Sequence, residues 1–171
     1  MKKFKLLLLL GVASYGAVTL GTKYVSADSV VTSPVEAQTY NLSSVLSSKI
    51  IGNDTVLFLG DNIQVILHNY KGEINEISVS VSEQPSSGIS LFANHGFANS
   101  MSASTTISTY SANGPSATTV TRTARNYHNY VLYEATYKGS IPKTKSVQYS
   151  STGWTHHYSG SIPYISSKSV V

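Results

Sequence analysis

From residue 55 the chain alternates short apolar runs with polar breaks: TVLFL, IQVILHNY and INEISVSVS are separated by GDN and KGE. In the second run Ile63, Val65, Leu67 and Asn69 fall on one side of an extended strand, and Gln64, Ile66, His68 and Tyr70 on the other. In the third, Asn75, Ile77, Val79 and Val81 oppose Ile74, Glu76, Ser78 and Ser80. Period-two alternation of β-branched residues between turn formers predicts three strands in a meander. Just upstream the spacing changes, with Leu42, Val45, Leu46 and Ile50 at helical intervals, Asn41 placed to cap and Gly52 to stop. That pattern predicts one short helix, with an irregular segment as the competing reading because the intervening serines are poor helix formers.

QPSSG then breaks the pattern, and residues 84 to 123 are rich in Ser, Thr, Ala and Asn with little charge. Such a composition fits either a pleated surface of small residues or a mobile loop. Within it FANHGFANS sets Phe92, His95 and Phe97 around Gly96, the pattern of a tight turn, and VTRTAR supplies Arg122 and Arg125. Beyond residue 124 the composition shifts again. Residues 127 to 164 hold seven of the ten tyrosines that follow residue 27, and the one tryptophan, Trp154.

Here one phrase is spelled twice. The frame aromatic-x-x-x-Tyr-x-Gly-Ser-Ile-Pro begins at Tyr133 and again at Trp154. Alternation puts Tyr133, Ala135 and Tyr137 on one strand face and Trp154, His156 and Tyr158 on the equivalent face. The glycine supplies flexibility, and the isoleucine is held extended by the proline behind it. Each copy therefore predicts a strand plus a turn. Two units are too few for a solenoid, so the expectation is a pair of adjoining antiparallel strands laying matching aromatics side by side. The chain as a whole reads as mainly β: an antiparallel, meander or sandwich-like single domain over residues 41 to 171, with one short N-terminal helix and a flexible lead-in at 28 to 40.

The N-terminus changes the electrostatic picture. MKKFK, the apolar stretch of residues 6 to 20 and the small-residue exit TKYVSA form a secretory signal peptide, with cleavage expected between Ala27 and Asp28. The stretch is shorter than the ~20 residues needed to span a bilayer, so contact with the membrane is expected only during export. Cleavage would remove four of the twelve basic residues and none of the eight acids, leaving a formally neutral chain. The basic balance thus belongs to targeting and gives no argument for nucleic-acid binding. Charge is nonetheless segregated: residues 28 to 90 carry seven acids against Lys49 and Lys71, residues 91 to 171 six bases against Glu134. The simplest consequence is mutual attraction of the two halves within the fold. With no cysteine, disulfides, thiolate metal sites and cysteine nucleophiles are excluded, and stability must come from the core.

Catalytic signatures are sparse. Strand neighbours point to opposite faces, so His156 and His157 would not chelate one ion, and His95 and His128 lie at unknown distance; no metal and no cofactor is expected. No Gly-x-Ser-x-Gly elbow and no phosphate-binding glycine loop occurs. The tyrosine-rich zone has a lone carboxylate, Glu134, where glycoside hydrolysis needs two. The expectation is a non-enzyme. As a binding face the zone offers Trp154 and Tyr158, then Tyr133 and Tyr137, with Lys138 and neighbouring bases to meet an anionic polymer; as a structural feature the same aromatics are strand formers covering a thin β-layer.

The Tyr-x-Gly-Ser-Ile-Pro copies, behind a secretory signal and without cysteine, resemble the tyrosine-rich repeats of small secreted Gram-positive proteins of the form Tyr-x-Gly-[Ser/Thr]-[Ile/Leu]-Pro. The resemblance covers residues 127 to 164. It implies an extracellular location and β-structure and assigns no catalytic residue. The resulting expectation is a secreted, non-catalytic protein that associates with a cell-wall polymer or surface glycan through its aromatic and basic C-terminal half. A bacteriocin-like or toxin-like antagonistic factor is the alternative.

Overall fold

The computed structural model describes residues 39 to 83 and 94 to 170. The expected signal peptide, most of the expected lead-in and the QPSSG break lie outside the described residues. The described chain is mainly antiparallel β, with strands β1 (Val45–Ile51), β2 (Asp54–Leu59), β3 (Ile63–Leu67), β4 (Ile74–Glu83), β5 (Ser100–Thr109), β6 (Ala117–His128), β7 (Val131–Gln148) and β8 (Trp154–Ser169). They form one sheet in the order β1-β2-β3-β6-β7-β8-β5-β4. The sheet is curled. Its near limb, β1-β2-β3-β6-β7, and its far limb, β8-β5-β4, enclose a core that takes Val65 and Leu67 from β3, Ile77 and Val79 from β4, Ile107 from β5, Val120 from β6, Tyr137 and Ile141 from β7, and Tyr158 and Ile162 from β8. A 3-10 turn at Leu42–Ser44, just before β1, lies against β4 at the other end of the sheet.

Two local expectations are corrected. The helix from Asn41 shrinks to that 3-10 turn, and the helical spacing of Leu46 and Ile50 falls within strand β1. Gly52, read as a helix stop, sits at φ 60° in the reversal from β1 to β2, a conformation that costs glycine nothing. The meander also ends after two strands. β2 and β3 pair across the Asp61-Asn62 turn, where both residues have positive φ as a tight hairpin requires, but β4 leaves for the far edge of the sheet. The departure is fixed by side chains: Asp54 accepts the Asn69 amide at 2.9 Å, and Thr55 donates to the Tyr70 carbonyl at 2.7 Å. β6 takes the vacated place beside β3, with Val65 opposite Val120.

Of the Ser/Thr-rich segment, residues 100 to 109 and 117 to 123 are strand, which decides for the pleated surface over the loop there. The turn expected in FANHGFANS is present, with His95 and Gly96 both at positive φ.

The repeated phrase sits where the limbs join. β7 and β8 pair through Tyr133 to Tyr137 at one end and Lys143 to Gln148 at the other, and their ladder is interrupted between. In the gap the two Gly-Ser-Ile-Pro segments meet head to tail. A Cβ on Gly139 would stand 3.0 Å from Ile162 Cα, and one on Gly160 would stand 2.9 Å from Ile141 Cγ2, so each copy's glycine receives the other copy's isoleucine. On its outer flank the first copy pairs with β6, Val120 opposite Gly139, and the second with β5, Ala103 opposite Gly160. Each proline falls at the last rung of its ladder, Pro142 with Ala117 and Pro163 with Ser100, where a missing N–H costs least. The copies are the two halves of a pseudo-two-fold crossing.

The expected pairing of matching aromatics is not formed, because an antiparallel register that sets each glycine against the other copy's isoleucine sends Tyr137 and Tyr158 to opposite sides of the crossing. Tyr137 stands opposite Tyr164, and Tyr158 opposite Lys143. Both are fully buried and satisfied: the Tyr137 hydroxyl donates to the Ala98 carbonyl at 2.9 Å and the Tyr158 hydroxyl to the Pro115 carbonyl at 2.7 Å. Burial pushes both phenols far above their ordinary range.

Filling either glycine should break the crossing. We expect Gly139→Val or Gly160→Val to lower stability by about 1–3 kcal/mol through overpacking, read from urea midpoints, while Ser140→Val on the exposed side of the same segment shifts it by less than about 0.5 kcal/mol. The Thr105 hydroxyl is buried without a hydrogen-bond partner among the described residues. Thr105→Val should therefore raise stability, by about 1 kcal/mol on the same measurement, and an unchanged or lower midpoint would contradict that reading.

Candidate binding face

Strand alternation that buries Ile77, Val79 and Val81 of β4, Ala103, Thr105 and Ile107 of β5, and His156 and Tyr158 of β8 must turn the intervening residues outward. On β4 and β5 those residues are hydroxyls, and on β8 His157 stands between the hydroxyls of Thr155 and Ser159. The register stacks them in rows: Ser82, Ser102 and Ser161; Ser80, Ser104 and Ser159; Ser78, Thr106 and His157; Glu76, Ser108 and Thr155. Neighbouring strands lie ~4.8 Å apart and rows roughly 7 Å, so the outer face of the far limb carries a regular two-dimensional array of hydroxyls. Within rows, Ser108 and Thr155 oxygens approach to 3.4 Å, and Thr106 Oγ1 lies 3.4 Å from His157 Nδ1.

Two shallow depressions mark this face. One, of about 360 Å³, runs along the serine rows between Ser80, Ser104 and Ser161. The other, of about 300 Å³, is bounded by Asn75, Glu76, Ser108, Thr155 and the exposed ring of Tyr149. β7 continues the rows sideways, placing Lys145 beside His157 and Val147 beside Thr155. The result is a flat polar surface with one aromatic at its end and one cation on its margin.

The structure scatters the residues expected to form a binding face. Tyr137 and Tyr158 are interior and present no surface, a correction imposed by the alternation that also buries Ala135 and His156. Trp154 is half-buried where β8 begins, opposite Gln148 and Thr109. Tyr133 lies at the other end of the hairpin, stacked on His95 with centroids 3.9 Å apart. Lys138 is exposed on the outer side of the near limb, opposite Thr121. His95 and His128 do come together, at 5.8 Å and edge to face. Among the described residues no group of three or more His, Asp or Glu gathers to hold a metal.

Sequence reasoning missed the exposed aromatics. Tyr149 follows β7, and its exposure could be anticipated from the Ser-Ser-Thr-Gly turn after it. Tyr130 is fully exposed at the tip of the β6–β7 hairpin, with φ 63°, and Tyr127 beside it is 70% exposed. Next to the tip, Glu134 is gripped by Arg125 at 3.0 Å and Lys168 at 3.3 Å, which hold its carboxyl below the ordinary range. The lone acid of the basic half is thus held within that half. Between the halves, Tyr40 donates to Asp61 at 2.7 Å with Arg122 nearby; burial and that hydrogen bond push the phenol up to about 12.

One arrangement has the form of a nucleophile and its base. Ser146 Oγ lies 2.8 Å from Nδ1 of His156, and Nε2 lies 3.0 Å from the Ser111 carbonyl and 3.1 Å from Thr109 Oγ1. The carbonyl requires Nε2 to carry the proton, so Nδ1 accepts from Ser146. The ring is fully buried under Gly114, where any Cβ would strike it. A neutral imidazole so held ties the loop at 111 to 114 onto β7 and β8.

The chain matches no protein-family model, no curated protein and no solved structure.

Burial lowers the His156 pKa, with Lys143 and His157 adding repulsion. A proton that binds the unfolded chain more readily than the folded one makes stability complete above the unfolded value near 6.5 and progressively lost below it. The urea midpoint should hold from about pH 8 to about pH 7 and fall towards about pH 5, with the fall reduced in His156→Gln; a profile unchanged by the substitution would remove His156 as its source.

Proposed function

We propose that this protein is a secreted, non-catalytic binding protein that attaches to a hydroxyl-rich polymer of a bacterial envelope, a cell-wall polymer or surface glycan, through the outer face of its far limb. The observation that carries the reading is the three-strand array of serine and threonine hydroxyls with Tyr149 at its end and Lys145 and His157 on its margin. An extended polysaccharide presents hydroxyls at regular intervals, and a flat array of hydroxyls that both donate and accept can meet many of them at once. A tyrosine ring supplies an apolar platform for a sugar face, with its hydroxyl left wet. The export signal and the repeat resemblance support an extracellular setting. Compared with the sequence expectation, the contact surface moves from the aromatic side of the repeat strands to their hydroxyl side.

The test is sedimentation of the purified protein with isolated cell walls at low and high salt. Retention is expected at both, with a minor salt-dependent part from Lys145. Tyr149→Ala and Ser104→Gln should each weaken retention by about tenfold, equivalent to about 1.4 kcal/mol, and leave the melting temperature almost unchanged because both side chains are exposed. Tyr130→Ala, on the other limb, should bind as the parent does. Absence of retention at either salt, or full retention by both far-limb variants, would overturn the proposal.

A further inference from the structure

The sheet ends at β1, and among the described residues no strand lies on its outer side. Edge strands ordinarily defend themselves with charge, proline or a cover, and β4 at the opposite end does so: its inward Ile77, Val79 and Val81 are buried, it carries Glu76 and Glu83, and the 3-10 turn packs against it. β1 carries one lysine, Lys49, and a bulge at its start, but its large apolar side chains stay uncovered among the described residues. Leu46 is 75% exposed, Ile50 59% and Ile51 55%, although Ser48 and Ile50 stand opposite the inward-facing Leu57 and Thr55 of β2. Leu46 is the extra residue of a bulge between Val45 and Ser47; beyond it β1 alternates regularly, with Ser48 and Ile50 on the core side and Ser47, Lys49 and Ile51 on the other.

The sequence of this edge, VLSSKII, is a palindrome of apolar and polar positions about Ser48. Antiparallel pairing of two such edges about that residue places Ser47 against Lys49 twice and Ser48 against itself, and brings each Ile50 to the bulged Leu46 of the other copy. Core side then meets core side, and no lysine faces a lysine. Shifting the centre to Lys49 opposes like charges, and shifting it to Ser47 opposes leucine with serine, both less favourable cross-strand pairs. A centre between residues would join the core side of one copy to the solvent side of the other. We propose that β1 is a self-complementary interface by which two copies of this chain join edge to edge in a two-fold dimer with one continuous sheet.

The absence of cysteine makes the register directly readable. The purified protein should elute as a dimer in size-exclusion chromatography with light scattering. Ser48→Cys should give a covalent dimer on mild oxidation, since directly opposed strand residues lie within disulfide range, whereas Lys49→Cys should cross-link at least severalfold less. Ser48→Arg, which puts like charges at the centre, should yield a folded monomer whose melting temperature no longer depends on protein concentration, because Ser48 is exposed and its substitution leaves the protomer's core intact. A parent protein that is monomeric, as it would be if another segment of its own chain covered β1, overturns the proposal. So does a dimer that survives Ser48→Arg or cross-links equally through residues 48 and 49.

Discussion

Two backbones can approach as closely as β7 and β8 do at their crossing only where one side of each contact has no side chain. Gly139 against Ile162 and Gly160 against Ile141 meet that condition twice, and the rest of the molecule hangs on it. β1, β2, β3 and β6 reach β8, β5 and β4 by hydrogen-bonded ladders only through these two strands. The isoleucines that fill the glycine positions are themselves core residues, and the tyrosines two residues before each glycine anchor the interior to the carbonyls of Ala98 and Pro115. Joining the limbs and building the core are therefore one physical event.

The same alternation that supplies the core decides the character of the outside. A strand that gives Ile77, Val79 and Val81 to the interior and only serines to solvent between them has little choice about its surface chemistry. β5 and β8 repeat the choice, which is why the hydroxyls line up in rows. The exposed aromatics then stand apart from the core aromatics: Tyr149 and Tyr130 occupy turns, where the fold makes no use of a large ring, and Tyr137 and Tyr158 occupy strands, where it does.

Much of the fold was legible in the sequence, and the errors have specific causes. The strands at residues 55 to 59 and 63 to 67 followed from alternation and from a turn whose Asp and Asn tolerate positive φ. β1 was hidden because Leu46, Ile50 and Ile51 are exposed and lie on a bulge and on both sides of the strand, so their spacing carried no period-two signal. β4 was recognisable as a strand, but its destination depended on Asp54 and Thr55 capturing the backbone at Asn69 and Tyr70, contacts between residues some fifteen apart that no local pattern announces. The repeat was the best handle on the sequence and its face assignment was right, yet that face proved to be the inside. Periodicity tells which residues share a side; it does not tell which side water occupies when tyrosine, at home in either, is the marker.

The strand order also fixes a sequence of events in time. β4 and β5 can form their own hairpin early, but β5 finds its second neighbour only in β8, with Ser100 waiting for Pro163 and Thr109 for Trp154. Every rung of that ladder spans more than forty residues, so the hairpin's apolar side stays uncovered until the second copy of the repeat has arrived. A nascent chain that has not yet delivered Trp154 is thus an open molecule with two unjoined halves, and the second copy of the repeated phrase is the one that shuts it.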